Sequence, residues 1–287
     1  MANQSNKVFI LGNGESRKNF DLDDLKTKGT VYGCNALYRD FTPDALICVD
    51  GGMMHEVYDS GYASKNKCYF RGWNPLPDFM YSEFVNLDAL MGWGEGLKTE
   101  NEKGNKNQFV FNGTDPNQLK RQYDMIIQKS NITDEIDQLE LRQLMGNHQQ
   151  WVTWVENEDC VKQIPLEIEG WSAGPIAVRI ALEQEKPTDV FLIGFDMGSV
   201  DGNVNNLYKG TSNYVTQDAP ETFSGNWIEQ HAKNFAEFSD TRFWKVNHSP
   251  LGTDETCRLI EEWNEYDNLQ YIAQESLDLS IDFGWMM

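Results

Sequence analysis

Short apolar runs that stop abruptly in small or polar residues recur along this chain. The first is Lys7-Val8-Phe9-Ile10-Leu11, which runs into Gly12-Asn13-Gly14-Glu15-Ser16. The second, Thr30-Val31-Tyr32-Gly33-Cys34, stops at Asn35, and the third, Ala45-Leu46-Ile47-Cys48-Val49, stops at Asp50-Gly51-Gly52. Runs of this length, with room for a helix between the first two, predict buried parallel strands. Lys67 to Phe70, Phe109 to Phe111 and Trp151 to Val155 predict further strands.

Helical signals fall between these runs. Asp21-Leu22-Asp23-Asp24-Leu25 places acids in a first turn, where the helix dipole favours them. Gly51 to Ser60 predicts a second helix. An irregular insertion is expected around 92–108, where Gly, Lys, Glu and Asn dominate. Helical spacing then runs over 116–145, opened by Pro116 after Asp115.

Further along, Ser172 caps a helix that Pro187 closes, and Val190-Phe191-Leu192-Ile193-Gly194-Phe195-Asp196 follows as a buried strand ending in a carboxylate. The polar stretch 199–223 carries Tyr208 and Tyr214 and reads as a lid insertion, because structureless segments of that length usually serve binding. A helix over 227–238 and a last core strand over 243–247 complete the pattern. The alternation in Leu277-Asp278-Leu279-Ser280-Ile281-Asp282-Phe283 predicts an edge strand able to pair with a partner. The whole reads as one Rossmann-like α/β domain over 1–287. Its sheet is doubly wound and mostly parallel, with helices on both faces.

In such sheets ligands bind outside the carboxyl ends of the strands. Asn13 and Ser16, Asn35 and Asp50 stand at three of those ends. They predict one pocket of neutral hydrogen-bonding groups and a carboxylate, suited to a nucleotide or sugar. Gly12 and Gly14 form the tight turn beside it. The turn lacks the third glycine of a dinucleotide fingerprint and the lysine of a P-loop.

Composition narrows the partners. A net charge of −21 excludes a general basic face for duplex nucleic acid and disfavours anionic membranes. Five scattered cysteines with no CxxC pair argue for a reducing compartment, against a disulfide frame and against a zinc site. With no apolar leader and no run of about 18 apolar residues, the expected location is cytoplasmic. A homo-oligomer fits this reading as well as a monomer does.

Gly12-Asn13-Gly14-x-Ser16 with Cys34-Asn35-x-x-Tyr38 resembles the start of the bacterial sialyltransferases of glycosyltransferase family 42. Ser172-x-Gly174 and Leu192-x-Gly194-x-Asp196 fall in the same order there, and the likeness touches most of residues 7–247. It implies a nucleotide-sugar donor linked through cytidine monophosphate, bound without metal or cofactor, and an acceptor it does not specify. It implies Asn13 and Ser16 near the donor, Asn35 on the nucleotide or sugar, and Ser172 and Gly174 at the cytidine end. Tyr208 and Tyr214 would hold the leaving phosphate, with His231 as base. The chain departs from that pattern at Asp50-Gly51-Gly52, where the family has Asn-Pro, and at Gly198, where it has tyrosine.

Pro43-Asp44-Ala45-Leu46-Ile47-Cys48-Val49-Asp50 and Ile193-Gly194-Phe195-Asp196 also resemble the MptE-like proteins, which include hydroxymethylpterin diphosphokinases. That likeness implies ATP and Mg²⁺, with Asp50 and Asp196 facing the metal. A third reading is a nucleotide-binding or assembly protein that keeps the fold without the chemistry.

Overall fold

The computed structural model describes residues 6–75, 108–111, 152–155 and 160–283. Its strands are β1 (Lys7–Leu11), β2 (Thr30–Cys34), β3 (Ala45–Cys48), β4 (Cys68–Phe70), β5 (Asn74–Pro75), β6 (Gln108–Phe111), β7 (Val152–Val155), β8 (Val161–Gln163), β9 (Asp189–Ile193), β10 (Arg242–Asn247) and β11 (Leu269–Ala273). The helices are α1 (Leu22–Lys28), α2 (Gly51–Asp59), α3 (Ala173–Glu185), α4 (Gly225–Glu237) and α5 (Leu277–Phe283). They group into two compact units, Met1–Cys48 with Leu166–Met287, and Val49–Pro165.

In the first unit the strands lie in the order β11-β10-β9-β1-β2-β3, and their pairings are parallel. The chain steps outward from β1 through β2 to β3. After α3 it returns beside β1 at β9 and steps outward the other way. The order therefore reverses between β1 and β9, which is where an α/β sheet of this kind opens a crevice. This is the Rossmann-like α/β architecture that the apolar runs predict.

Register assigns each strand residue to a face. Phe9, Phe191 and Trp244 are lateral partners, and their rings stack at 5.1 and 5.9 Å between centroids. Gly29, just past α1, meets this face, since a Cβ there would lie 3.1 Å from the Phe9 ring. On the opposite face Phe243 packs at 4.7 Å against Phe235 of α4, and the Tyr32 hydroxyl donates to Glu185 of α3 at 2.8 Å. Both faces are thus covered, which explains why β1 and β9 read as near-continuous apolar runs. Asp189 at the start of β9 is the polar exception, and it is bound by Arg242 at 2.6 Å and Trp244 Nε1 at 3.0 Å.

The second unit pairs β4 with β8 in parallel and β5-β6-β7 in antiparallel order. Phe70 at the end of β4 packs edge-on against Trp73 at 4.8 Å.

Two expectations change. The strand at 243–247 is not the last, because β11 pairs with β10 along its length. Leu269-Gln270-Tyr271-Ile272-Ala273 is half-buried at the sheet edge, so it lacks the unbroken apolar signature of the inner strands. The tail 277–283 is helix, not an edge strand. Leu277 and Ile281 are one helical turn apart and both buried, so the alternation also satisfied a helical face. The expected helix over 116–145 lies outside the described residues, as does the insertion expected around 92–108 except for Gln108, which opens β6. No helix among the described residues is long and apolar enough to cross a membrane.

Phe191 is buried between two rings at the centre of the sheet. Phe191→Ala should cost about 3–5 kcal/mol of stability, read from urea unfolding, because the surrounding β-sheet cannot collapse into the cavity. A loss below about 1 kcal/mol would mean that this stack does not centre the core.

Candidate functional site at the strand switch point

The loops after β1 and β9 are bound to each other backbone to backbone. Gly12 N donates to Ile193 O at 2.8 Å and Gly14 N to Gly194 O at 3.0 Å. A Cβ on Gly12 would lie 2.4 Å from the Gly194 carbonyl oxygen, and one on Gly14 would lie 2.5 Å from Asp196 Oδ2. Contact between two strand ends therefore requires both glycines. Gly194 itself sits at φ 76°, a conformation few other residues adopt.

The turn Glu15–Asn19 that follows points its first amides inward. Ser16 N donates to Asp196 Oδ2 at 3.1 Å, and Glu15 N donates to Asn205 Oδ1 at 2.8 Å. The carboxylate at the end of the β9 run thus holds the position where a bound phosphate would meet a turn of this kind.

Arg17 is 4 % exposed and lies at the centre of the site. Its Nε donates to Gly12 O at 2.6 Å, and one terminal nitrogen reaches Asn13 Oδ1 at 3.2 Å and the Tyr208 hydroxyl at 3.0 Å. Tyr208 passes its own proton toward Asp40 Oδ2 at 2.7 Å. Asn13 Nδ2 donates to Cys34 O and to the Tyr214 hydroxyl, both at 3.1 Å. Ala36 N, in the turn opened by Asn35, also donates to the Tyr214 hydroxyl, at 3.4 Å. That hydroxyl accepts twice, and its own hydrogen meets no acceptor among the described residues. Burial pushes the Tyr214 phenol well above its usual range and Tyr208 up to about 12. Both are neutral donors at any physiological pH.

Residues 199–223 form a compact irregular segment closed on itself. Asn203 bridges to Pro220, and Gly210 N donates to Val215 O at 2.7 Å. Leu207 N donates to Asn13 O at 2.9 Å, which fixes the segment to the loop after β1. Arg39 secures its far side through Thr211 Oγ1 at 2.7 Å and Ser212 O at 2.9 Å.

The structure brings Gly12, Asn13, Gly14, Ser16, Asp196, Tyr208 and Tyr214 together, with Asn35 opening the adjoining turn at φ 50°. Asp50 is exposed at the start of α2 and belongs to the second unit. Ser172 and Gly174 begin α3, where Ser172 N donates to Gln230 Oε1 at 2.8 Å. A Cβ on Gly174 would lie 2.5 Å from the Phe195 ring, and that ring also lies 3.2 Å from where a Cβ on Gly12 would be. Phe195 thus fills the gap between the α3 start and the loop after β1.

His231 is fully buried in α4. Its imidazole meets Phe195 edge-on at 5.1 Å, Trp263 at 5.7 Å and Phe235 at 6.1 Å. Neither ring nitrogen has a hydrogen-bond partner among the described residues, and burial pulls its pKa down to about 3. In this position the imidazole packs as a neutral ring and reaches no acceptor hydroxyl.

Three residues of this region escaped the sequence reading. Arg17 and Asp40 have no motif around them, although an arginine directly after the Gly-Asn-Gly-x-Ser turn is a usable signal. Lys245 points inward from β10, and burial lowers its pKa to about 8 against the attraction of Asp196. Beside the network lies an open groove of ≈ 550 Å³ lined by Asp21, Asp23, Lys26, Arg39, Asp40 and Phe41 among others. Asp40 belongs to both groove and network.

No protein-family model, no curated protein and no solved structure matches the chain.

The burial of His231 has a pH signature. An unfolded imidazole takes its proton near 6.5, whereas the folded one resists it down to about 3. Below pH 6.5 the unfolded state therefore binds more protons, and stability falls as pH drops, by up to about 1.4 kcal/mol per unit. His231→Phe should flatten the stability profile between pH 6 and pH 4 relative to wild type. Parallel profiles for the two proteins would show that the imidazole titrates normally.

Proposed function

We propose that the chain is a glycosyltransferase that takes a sugar from a nucleotide donor without a metal ion. The observation that carries this reading is the convergence of Tyr208 and Tyr214 with Arg17 and Asn13 at the switch point. A guanidinium and two neutral phenols are suited to the charge that develops on a leaving phosphate. The Tyr214 hydroxyl has a hydrogen to give, and Arg17 is the cation of the group. Donor entry requires residues 199–223 to lift from the strand ends. On closing, the two tyrosines exchange their present partners for phosphate oxygens. The acceptor sugar lies in the adjoining groove, whose volume suits a small ligand and whose carboxylates accept from sugar hydroxyls. Asp40 lines that groove and is the carboxylate placed to take the acceptor proton. His231 has no part in this reaction.

The non-catalytic reading also has a specific observation behind it. Asp196 and Asn205 already satisfy the turn amides, and the segment 199–223 exposes Val200, Val215 and Phe223 to solvent. Those are features of a binding or assembly surface. The diphosphokinase reading rests on Asp50 and Asp196 acting together at a metal, and the Ser16 amide already binds Asp196.

A panel of nucleotides and nucleotide sugars at millimolar concentration separates these readings. A donor present at about a hundred times its Kd should raise Tm by about 5 °C. Tyr214→Phe should shrink that shift, and Asp40→Asn should slow sugar transfer by about 10²–10⁴-fold with the shift retained. Transfer should continue in EDTA. If none of the compounds moves Tm, the pocket is not a nucleotide site. A Tm shift without turnover in any acceptor mixture would select the non-catalytic reading.

A further inference from the structure

We propose that His248, Asp254 and Cys257 form a binding site for a thiophilic divalent transition metal of the zinc class. The three lie in the loop that follows β10, and none of them takes part in the tyrosine network. Their ligand atoms all fall within 4.8 Å of one another. Cys257 Sγ is 3.4 Å from His248 Nδ1 and 3.8 Å from Nε2. His248 Nε2 is 3.0 Å from Asp254 Oδ2. A tetrahedral ion with bonds of about 2.0–2.3 Å holds its ligand atoms about 3.3–3.6 Å apart. The three side chains therefore need only small movements to close on a metal through Sγ, Nε2 and Oδ2.

The carboxylate is held in place for this role. Asp254 Oδ1 accepts from Thr256 N at 2.8 Å, Thr256 Oγ1 at 2.7 Å and Cys257 N at 3.2 Å, which leaves Oδ2 turned toward the imidazole. Gly252 N closes the loop onto Cys257 O at 2.7 Å. Lys245 Nζ supports it from the sheet side by donating to Thr256 O at 3.3 Å. Such surrounding bonds orient ligands and raise metal affinity.

The donor set selects the metal. One thiolate, one imidazole and one carboxylate suit Zn²⁺, Co²⁺ or Ni²⁺, whereas Mg²⁺ and Ca²⁺ prefer oxygen alone. Three protein ligands leave a fourth position. Cys257 is buried, but the His248 and Asp254 side chains are 33 % and 22 % exposed, so that position opens toward solvent. Thiolate and carboxylate together offset the ion's charge, against which the nearby Lys245 and Arg258 act. The absence of a CxxC pair hid this site from the sequence, because its ligands are spaced six and three residues apart within one turn-rich loop.

Cobalt provides the test. The full chain, free of any affinity tag and stripped with EDTA, is titrated with Co²⁺. One equivalent should give the visible bands of a tetrahedral ion and the ultraviolet charge-transfer band of a thiolate ligand, and Zn²⁺ should abolish both. Cys257→Ala should remove the charge-transfer band, and His248→Ala should weaken binding by more than about 100-fold. Cys160→Ser, which removes an exposed thiol elsewhere, should change neither. No bands at one equivalent, a charge-transfer band that survives Cys257→Ala, or unchanged affinity in His248→Ala would each overturn the proposal. If circular dichroism shows Cys257→Ala unfolded, the His248→Ala variant, at a partly exposed position, decides alone.

Discussion

The buried guanidinium of Arg17 is the constraint around which the switch point is organised. A cation withdrawn from water costs several kcal/mol unless its N–H groups find oxygen partners. Arg17 finds them in the carbonyl of Gly12, the amide oxygen of Asn13 and the hydroxyl of Tyr208. These come from the loop after β1 and from a segment almost two hundred residues later in the chain. The charge is answered one step further out, where Tyr208 donates to Asp40. Holding Arg17 thus holds residues 199–223 on the strand ends and ties them to the turn that carries Asp40.

The glycines of this region act through the same closeness. Gly12 and Gly14 let the β1 and β9 ends touch, so Asp196 reaches the Ser16 amide. In a dinucleotide site the corresponding glycines let backbone approach a pyrophosphate. Here a side chain from the neighbouring strand takes that place. The first amides of the turn are therefore taken by Asn205 and Asp196, and the side chains of Arg17, Tyr208 and Tyr214 gather beside them. That difference explains why the Gly-Asn-Gly turn matches neither the dinucleotide fingerprint nor a P-loop.

The fold was legible because β1, β2, β3 and β9 are buried on both faces and so carry unbroken apolar runs. β11 was not, since an edge strand half in solvent needs no such run, and the tail 277–283 alternates in a way that a short helix also satisfies. At the site, Asn13, Ser16 and Asp196 at strand ends lie near Tyr208 and Tyr214 of the polar segment, whereas Asp50, the carboxylate expected in the same pocket, is exposed at the start of α2. Their partners were not legible. Arg17 and Asp40 take part through contacts that span the chain, and no local spacing records those. His231 has the residue type of a base and a place after the tyrosine segment, and the sequence offers nothing more. Position along a helix does not reveal which side faces the core, and Phe195 and Trp263 enclose it.

Hydrogen exchange at the Leu207 amide tests the central claim most directly. That amide is bound to Asn13 O at 2.9 Å and is the backbone link between residues 199–223 and the loop after β1. Local protection reports local opening, so a segment held by Arg17 should loosen when the cation is removed. In Arg17→Met the Leu207 amide should exchange far faster than in wild type, while the amides inside β1 keep their protection. Equal exchange of Leu207 in the two proteins would contradict the account, because the segment would then be held without Arg17.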